Sequence, residues 1–163
     1  MQVLGIDPGI ASTGWGFVSF SSGKLSARSC GTITTTTKHP LEERIIMITD
    51  ELTMLMKECR ADALSIEDIF FLKNISSAIP VAKVIGAVIH LASLQNIPFF
   101  CYTPLQIKLA LTGMGKASKS QVEQMVAFLL GLRQGEAENH ASDALAAAIC
   151  HIHTAQGSGS MHR

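Results

Sequence analysis

The chain opens with VLGIDPGIASTGWGFVSF, from Val3 to Phe20, and this stretch decides the fold class. The apolar run at 3–7 predicts a buried strand, which the Pro8–Gly9 turn ends. The β-branched and aromatic residues at 13–20 predict a second strand. A third strand at 25–36 follows a short connection of the hairpin kind. We therefore expect an antiparallel meander of three strands at the start of the chain.

Helical spacing replaces the strand pattern from Leu41 onward. Apolar residues recur at this spacing up to Cys59, and a fourth strand is predicted at 63–70. Because a strand–helix–strand crossover is right-handed, this strand should lie parallel to an earlier one. The remaining predicted elements are a nearly all-apolar helix at 81–94, a fifth strand at 98–102, and helices at 104–111, 119–130 and 140–154. The sequence thus predicts an α/β fold in which helices flank a mixed five-stranded sheet.

Serines and one proline mark the expected starts of two of these helices. Ser76 or Ser77 is expected to cap the helix that contains the apolar stretch 81–94, with Pro80 in its first turn, where proline is tolerated. Ser118 is expected to cap the helix that runs to Leu130. The helix at 81–94 is apolar on nearly every side, so we expect a partner subunit to cover part of it.

The composition is typical of one globular domain. The chain has 163 residues, of which 47% are hydrophobic and 16% charged, so neither intrinsic disorder nor a coiled-coil rod fits. We expect a single domain at residues 1–155, followed by a flexible tail at 156–163. No cationic segment precedes the first apolar run, as a signal peptide would require, and the four dispersed cysteines suit reduced thiols. These features predict a cytoplasmic protein.

The charged residues are unevenly distributed. Thirteen Lys and Arg residues balance thirteen Asp and Glu residues, so the formal net charge is zero. Residues 69–122 contain no carboxylate, yet they carry Lys73, Lys83, Lys108, Lys116 and Lys119. Such a stretch suggests an electropositive face that binds a phosphate backbone, although five ordinary solvated lysines explain it equally well.

Three places in the sequence set charged or titratable side chains beside apolar runs. Asp7 ends the first strand, where it could build a site or simply cap the following turn. Glu67 and Asp68 are neighbours in the fourth strand, and strand alternation places at most one of them on the same face as Asp7. Alternatively, the strand ends at this point and both carboxylates are solvated. His140 and Asp143 share one face of the first turn of the last helix, where the helix dipole alone would favour the acid.

Together these side chains suit a divalent metal. Carboxylate oxygens with one imidazole are typical ligands of Mg²⁺ or Mn²⁺. Two such ions about 4 Å apart can hold a phosphodiester for in-line attack by water. With the lysine-rich stretch as the phosphate-binding surface, the combination indicates a metal-dependent nuclease.

Four motifs in order resemble the RuvC family of Holliday-junction resolvases, from residue 3 to about residue 153. They are Gly5–Gly9 with Thr13–Gly16, Ile66–Phe70 with Lys73–Asn74, Lys116–Val122, and His140–Ala146. The resemblance implies an RNase H-like fold, a homodimer, and Mg²⁺-dependent paired nicking of four-way DNA junctions in recombination and repair. It also implies branch-migration motor proteins as partners.

The resemblance assigns roles to particular side chains by their motif position. It implies that two Mg²⁺ ions, which Mn²⁺ could replace, are held by Asp7, Glu67, His140 and Asp143, so it selects Glu67 over Asp68. Many family members carry Asp in place of His140 and others carry His, so this residue could bind a metal directly or act as a general base. DNA contacts are expected for Phe70, which resembles the aromatic residue that stacks at the opened junction, and for Lys73, Lys108, Lys116 and Lys119.

Two other functions fit parts of the same pattern. ATPases of the actin and sugar-kinase type also begin with a strand followed by Asp-x-Gly, but they need two lobes and a second phosphate loop. A junction-binding module without catalytic activity would bind DNA but would have no use for four ligand candidates. Turnover of ATP and metal-dependent cleavage of junctions distinguish the three.

Overall fold

One mixed sheet with helices on both faces makes up the fold. The computed structural model describes residues 1–69, 75–133 and 135–159. The strands are β1 (Gln2–Asp7), β2 (Ser12–Ser21), β3 (Lys24–Thr34), β4 (Ala63–Glu67) and β5 (Phe99–Tyr102). The helices are α1 (Leu41–Cys59), α2 (Ile75–Leu94), α3 (Pro104–Thr112), α4 (Lys119–Leu130) and α5 (Asn139–Gly159).

The strand order is β3-β2-β1-β4-β5. Strands β1, β2 and β3 pair antiparallel, whereas β4 lies parallel to both β1 and β5. The predicted meander and the parallel crossover strand are therefore confirmed. The parallel register sets Ile6 beside Ile66, so the carboxyl ends of β1 and β4 meet at one edge of the sheet.

Strand alternation divides the core into two layers. Leu4, Ile6 and Leu64 pack on one face, together with buried residues of α1 and α2. Val3 and Ala63 pack on the other face, together with buried residues of α3, α4 and α5. Because side chains two positions apart share a face, the ends of β1 and β4 present their last side chains, Asp7 and Glu67, on the side of α5.

Glycines let α5 lie directly on the sheet. A Cβ atom at Gly5 would overlap the backbone of Ala144, and one at Gly14 would overlap the backbone of His140. Gly14 is also the cross-strand partner of Asp7. The first turn of α5 can therefore approach the end of β1 only because this position carries no side chain.

Three of the predicted boundaries differ clearly from the structure, whereas others shift by only one or two residues. Strand β4 ends at Glu67 and not at residue 70, since its partner β5 ends at Tyr102. Helix α2 begins at Ile75, so neither serine is its cap. Pro80 lies further inside the helix than the predicted first turn, at a place where its missing N–H affects only the carbonyl of residue 76. Helix α5 continues to Gly159, past the predicted end at 154, because its glycines weaken a helix without stopping it.

Helix α2 has a buried and an exposed side. Val84, Val88 and Leu91 are buried against the sheet and α1, whereas Ile79, Ala82, Lys83, Gly86 and His90 are exposed. Ser118 caps α4 as expected, and its hydroxyl and the Gln121 side chain form a capping box. Among the helices that the structure describes, none is long and apolar enough to cross a membrane.

Candidate active site

The site is built where β1 ends against the first turn of α5. Asp7 is the last residue of β1, and His140 follows the first residue of α5. The Nδ1 atom of His140 lies 2.7 Å from Oδ2 of Asp7, across 133 residues of chain. The partial positive charge of the helix N-terminus favours a carboxylate at this place.

Three side chains form a compact cluster of possible metal ligands. One ligand atom each from Asp7, His140 and Asp143 lie within 4.8 Å of one another. Glu67 is outside that cluster but lines the same cavity of about 370 Å³, as does Asp68. The structure thus brings the four predicted ligands to one cavity, with Glu67 set apart from the other three.

One ring nitrogen of His140 forms a hydrogen bond with Asp7. A carboxylate oxygen only accepts hydrogen bonds, so Nδ1 of His140 is the donor in this contact. In the neutral ring, Nε2 then carries the free lone pair and can bind a metal or accept a proton. The His140 side chain is 49% exposed, which leaves room for such a partner.

Burial and crowding raise the pKa values of two carboxyl groups. Desolvation is the main cause of the raised pKa of Asp7, and the charge of Asp143 adds to it, against the hydrogen bond from His140. Desolvation also raises the pKa of Glu67 to about 7, helped by the charges of Asp7 and Asp143. Without a bound cation, the ionised forms of these carboxyl groups are destabilised, as is typical of metal sites.

Lysines approach the carboxylates from α3 and α4. The Nζ atom of Lys119, the first residue of α4, donates to Oδ2 of Asp143 at 2.7 Å, and this contact raises the pKa of the lysine. Lys108 of α3 and Lys119 line a cavity of about 230 Å³ together with Glu67 and Asp143. Two cations thus flank the acidic cluster on one side.

The other predicted DNA-binding residues are spread more widely. Lys116 is exposed in the loop between α3 and α4 and lines neither cavity. Lys83 is on α2, on the opposite face of the sheet from α3 and α4, so the four lysines of this stretch that the structure describes do not share one face. Phe70 and Lys73 lie outside the described residues.

Sequence reasoning missed the side chains that hold the loop after Asp7. The hydroxyl of Thr13 donates to the Gly9 carbonyl at 2.6 Å. The hydroxyl of Thr35 and the guanidinium of Arg44 both donate to the Ile10 carbonyl, and Arg44 also donates to Thr35. Thr13, a buried threonine within a strand, was the only local signal of this network, because Thr35 and Arg44 come from distant parts of the chain.

Comparisons with known proteins show which family this chain is similar to. A sequence model of the family described as Crossover junction endodeoxyribonuclease RuvC matches residues 3–151. A relative of that name from Syntrophomonas wolfei is 43% identical over 154 residues, covering 94% of this chain and 90% of the relative. One from Borrelia turicatae is 39% identical over 153 residues, covering 93% and 95%.

Solved structures show the same likeness. The Thermus thermophilus RuvC structure matches with a TM-score of 0.89 at 33% identity over 97% of both chains. Thermus thermophilus RuvC in complex with Holliday junction substrate matches with a TM-score of 0.92 at 33% identity, over 97% of this chain and 96% of that one. The expected RNase H-like fold is therefore confirmed. Because sequence and structure match over nearly the whole chain, this chain belongs to the RuvC family of crossover junction endodeoxyribonucleases.

Proposed function

We propose that this chain is an endonuclease that resolves four-way DNA junctions by metal-dependent hydrolysis of phosphodiester bonds in recombination and repair. One observation carries the proposal: Asp7, His140 and Asp143 offer ligand atoms within 4.8 Å of one another, beside a cavity lined by two lysines. The matched Thermus protein, which is described in complex with a Holliday junction, supports the choice of substrate.

The donor set fits divalent magnesium. Four carboxylates, those of Asp7, Glu67, Asp68 and Asp143, and the imidazole of His140 line one cavity. Desolvation and, after it, neighbouring negative charge raise the pKa values of Asp7 and Glu67, and a bound cation would stabilise their ionised forms. Oxygen-rich sites of this kind suit Mg²⁺ or Mn²⁺. When bound, two such ions would activate water and stabilise the charge that develops on the phosphate.

Each side chain then has a distinct task. We assign metal binding to Asp7, Glu67 and Asp143, and to Nε2 of His140, whose Nδ1–H is held by Asp7. We assign phosphate binding to Lys108, Lys116 and Lys119. The family resemblance supports stacking of Phe70 at the opened junction and a DNA contact by Lys73.

Paired nicking requires two sites, and we propose that a homodimer supplies them. The exposed side of α2, which carries Ile79, Ala82 and Gly86, is our candidate for the interface. Family resemblance also supports branch-migration motor proteins as partners, and the four dispersed cysteines support a cytoplasmic location.

A single cleavage assay tests the function. A labelled four-way junction and a linear duplex of the same sequence would be incubated with the protein, with and without Mg²⁺. We expect paired nicks in the junction only, and only with metal. Junction binding without cleavage in Mg²⁺ or Mn²⁺ would favour a non-catalytic binding module, and ATP turnover would favour the ATPase.

His140 can be tested in the same assay. His140→Asp provides another metal ligand and should retain substantial cleavage, whereas His140→Ala should lose most of it. If His140→Ala cuts as well as wild type in saturating Mg²⁺, the imidazole is not part of the machinery.

A further inference from the structure

The ion pair between Lys119 and Asp143 engages a carboxylate that the metal site needs. Nζ of Lys119 contacts Oδ2 of Asp143 at 2.7 Å, and Asp143 is a member of the three-residue ligand cluster. The Asp143 side chain is only 24% exposed, so few directions remain from which another cation can reach it. The ammonium and a divalent ion therefore compete for this carboxylate.

Lys119 is placed so that it can leave Asp143 without any change in the fold. It is the first residue of α4, whose start is fixed by the Ser118–Gln121 capping box. Its side chain is 55% exposed and has a flexible four-carbon stem, so the ammonium can move while the backbone stays in place.

Lys108 provides an internal comparison. It lines the same cavity as Lys119, beside Glu67 and Asp143, and its charge also lowers the pKa of Glu67. Among the described residues, however, the ion pairs include Lys119 and not Lys108. The two lysines thus line the same cavity, and of the two only Lys119 forms an ion pair with a candidate metal ligand, Asp143.

We propose that Lys119 is an internal counter-cation, which a divalent metal displaces from Asp143 and which is then free to bind a DNA phosphate at the same cavity. This proposal rests on the proposed function, because it takes the acidic cluster to be the metal site. In the metal-free protein, Lys119 neutralises Asp143 and keeps the carboxylate in position; metal loading releases a cation where the DNA backbone is to be bound.

Metal affinity measured by calorimetry tests the exchange without any cleavage. Mg²⁺ and Mn²⁺ would be titrated into wild type, Lys119→Gln and Lys108→Gln without DNA. Lys119→Gln should bind metal about fivefold more tightly, the ratio expected when a partly exposed ion pair no longer has to be broken. Lys108→Gln removes the same charge from the same cavity and should change affinity by much less.

Equal gains in both variants would mean that only long-range charge matters, and this would overturn the exchange. Unchanged or weaker binding in Lys119→Gln would overturn it as well. A double-mutant cycle of Lys119→Gln and Asp143→Asn, followed by thermal unfolding of the metal-free protein, should show coupling between the two residues. Absence of coupling would contradict the ion pair on which the proposal depends.

The two proposals fail in different ways. A wild-type protein that cuts junctions, combined with a Lys119→Gln variant of unchanged metal affinity, would overturn the exchange alone. A wild-type protein that binds metal but cuts no junction would overturn the proposed function and leave the exchange supported if Lys119→Gln still binds more tightly.

Discussion

Asp7 is the residue on which the site converges, because it contacts His140 and ends the strand beside β4. Asp7→Asn keeps the shape of the side chain but removes the charge that attracts a cation. Loss of a residue that only orients a metal ligand typically reduces activity roughly 10–100-fold. Because Asp7 is assigned as a ligand itself, we expect cleavage by Asp7→Asn to fall by more than this. Junction binding should be retained, since no phosphate-binding cation is lost. Gel-shift and cleavage assays measure the two effects separately.

The matched control for Asp7 is Asp50→Asn, which makes the same change on an exposed position of α1. It should cleave like wild type. Wild-type nicking by Asp7→Asn would contradict its place in the metal site.

Glu67 predicts how metal binding depends on pH. Its raised pKa of about 7 means that the metal-free protein keeps this carboxyl protonated in mild acid. Metal requires the ionised form, so metal affinity and cleavage at limiting Mg²⁺ should rise as pH increases from 6 to 8, roughly one unit either side of that pKa. Glu67→Gln should bind metal weakly and lose this dependence. An affinity of wild type that is flat over this range would contradict the assignment.

The same pKa predicts an effect on stability without metal. The pKa of Glu67 rises from its ordinary value of 4.5 to about 7 in the folded protein. Between these two pH values, the folded protein therefore binds more protons than the unfolded chain. The free energy of unfolding therefore falls as pH rises through this window. Glu67→Gln should raise the free energy of unfolding at pH 8 by on the order of 2 kcal/mol and much less at pH 5. Thermal unfolding with a metal chelator present measures both, and equal effects at the two pH values would argue against the raised pKa.

At the scale of elements, the seating of α5 on β1 and β2 decides the geometry of the site. Gly14→Ala would push the first turn of α5 away from Asp7, because the new methyl overlaps the His140 backbone. Such overpacking costs about 1–3 kcal/mol of stability. We also expect weaker metal binding at temperatures where the variant is fully folded.

Gly157→Ala is the control for Gly14. Gly157 is near the end of α5, far along the helix from His140, and an added Cβ there meets no atom within 4 Å. This variant should keep metal affinity, and alanine should stabilise the helix slightly. If Gly14→Ala is destabilised but binds metal like wild type, then Gly14 supports the fold without positioning the site.

At the scale of the whole molecule, we expect a homodimer formed through the exposed side of α2. Ala82 is exposed on that side, and Ala82→Glu introduces a charge with little effect on helix propensity. Sedimentation should show dimers for wild type and monomers for this variant, with loss of paired nicking. Phe128→Glu adds a charge at an 80% exposed position of α4, on the opposite face of the sheet, and should remain dimeric. Monomeric wild type at micromolar concentration would contradict the proposal.

The outline of the fold was predictable because its signals are local. Alternation and turn residues near Pro8–Gly9 predicted the meander, and helical spacing from Leu41 to Cys59 predicted the first helix with its observed bounds. The boundaries of β4 and α2 were not predictable, since β4 ends where its partner β5 ends. The position of a last strand residue thus depends on a neighbour that local sequence does not reveal.

The sequence by itself determined which side chains could carry chemistry and in which elements they lie. Asp7 at a strand end and His140 with Asp143 on one helical turn follow from local spacing alone. Only the tertiary structure decided that Asp7 and His140 touch, that Glu67 stands apart from their cluster, and that Lys119 is paired while Lys108 is not. The physical reason is that these contacts depend on how closely α5 and α4 pack on the sheet, which is set by glycines and core side chains distant in sequence.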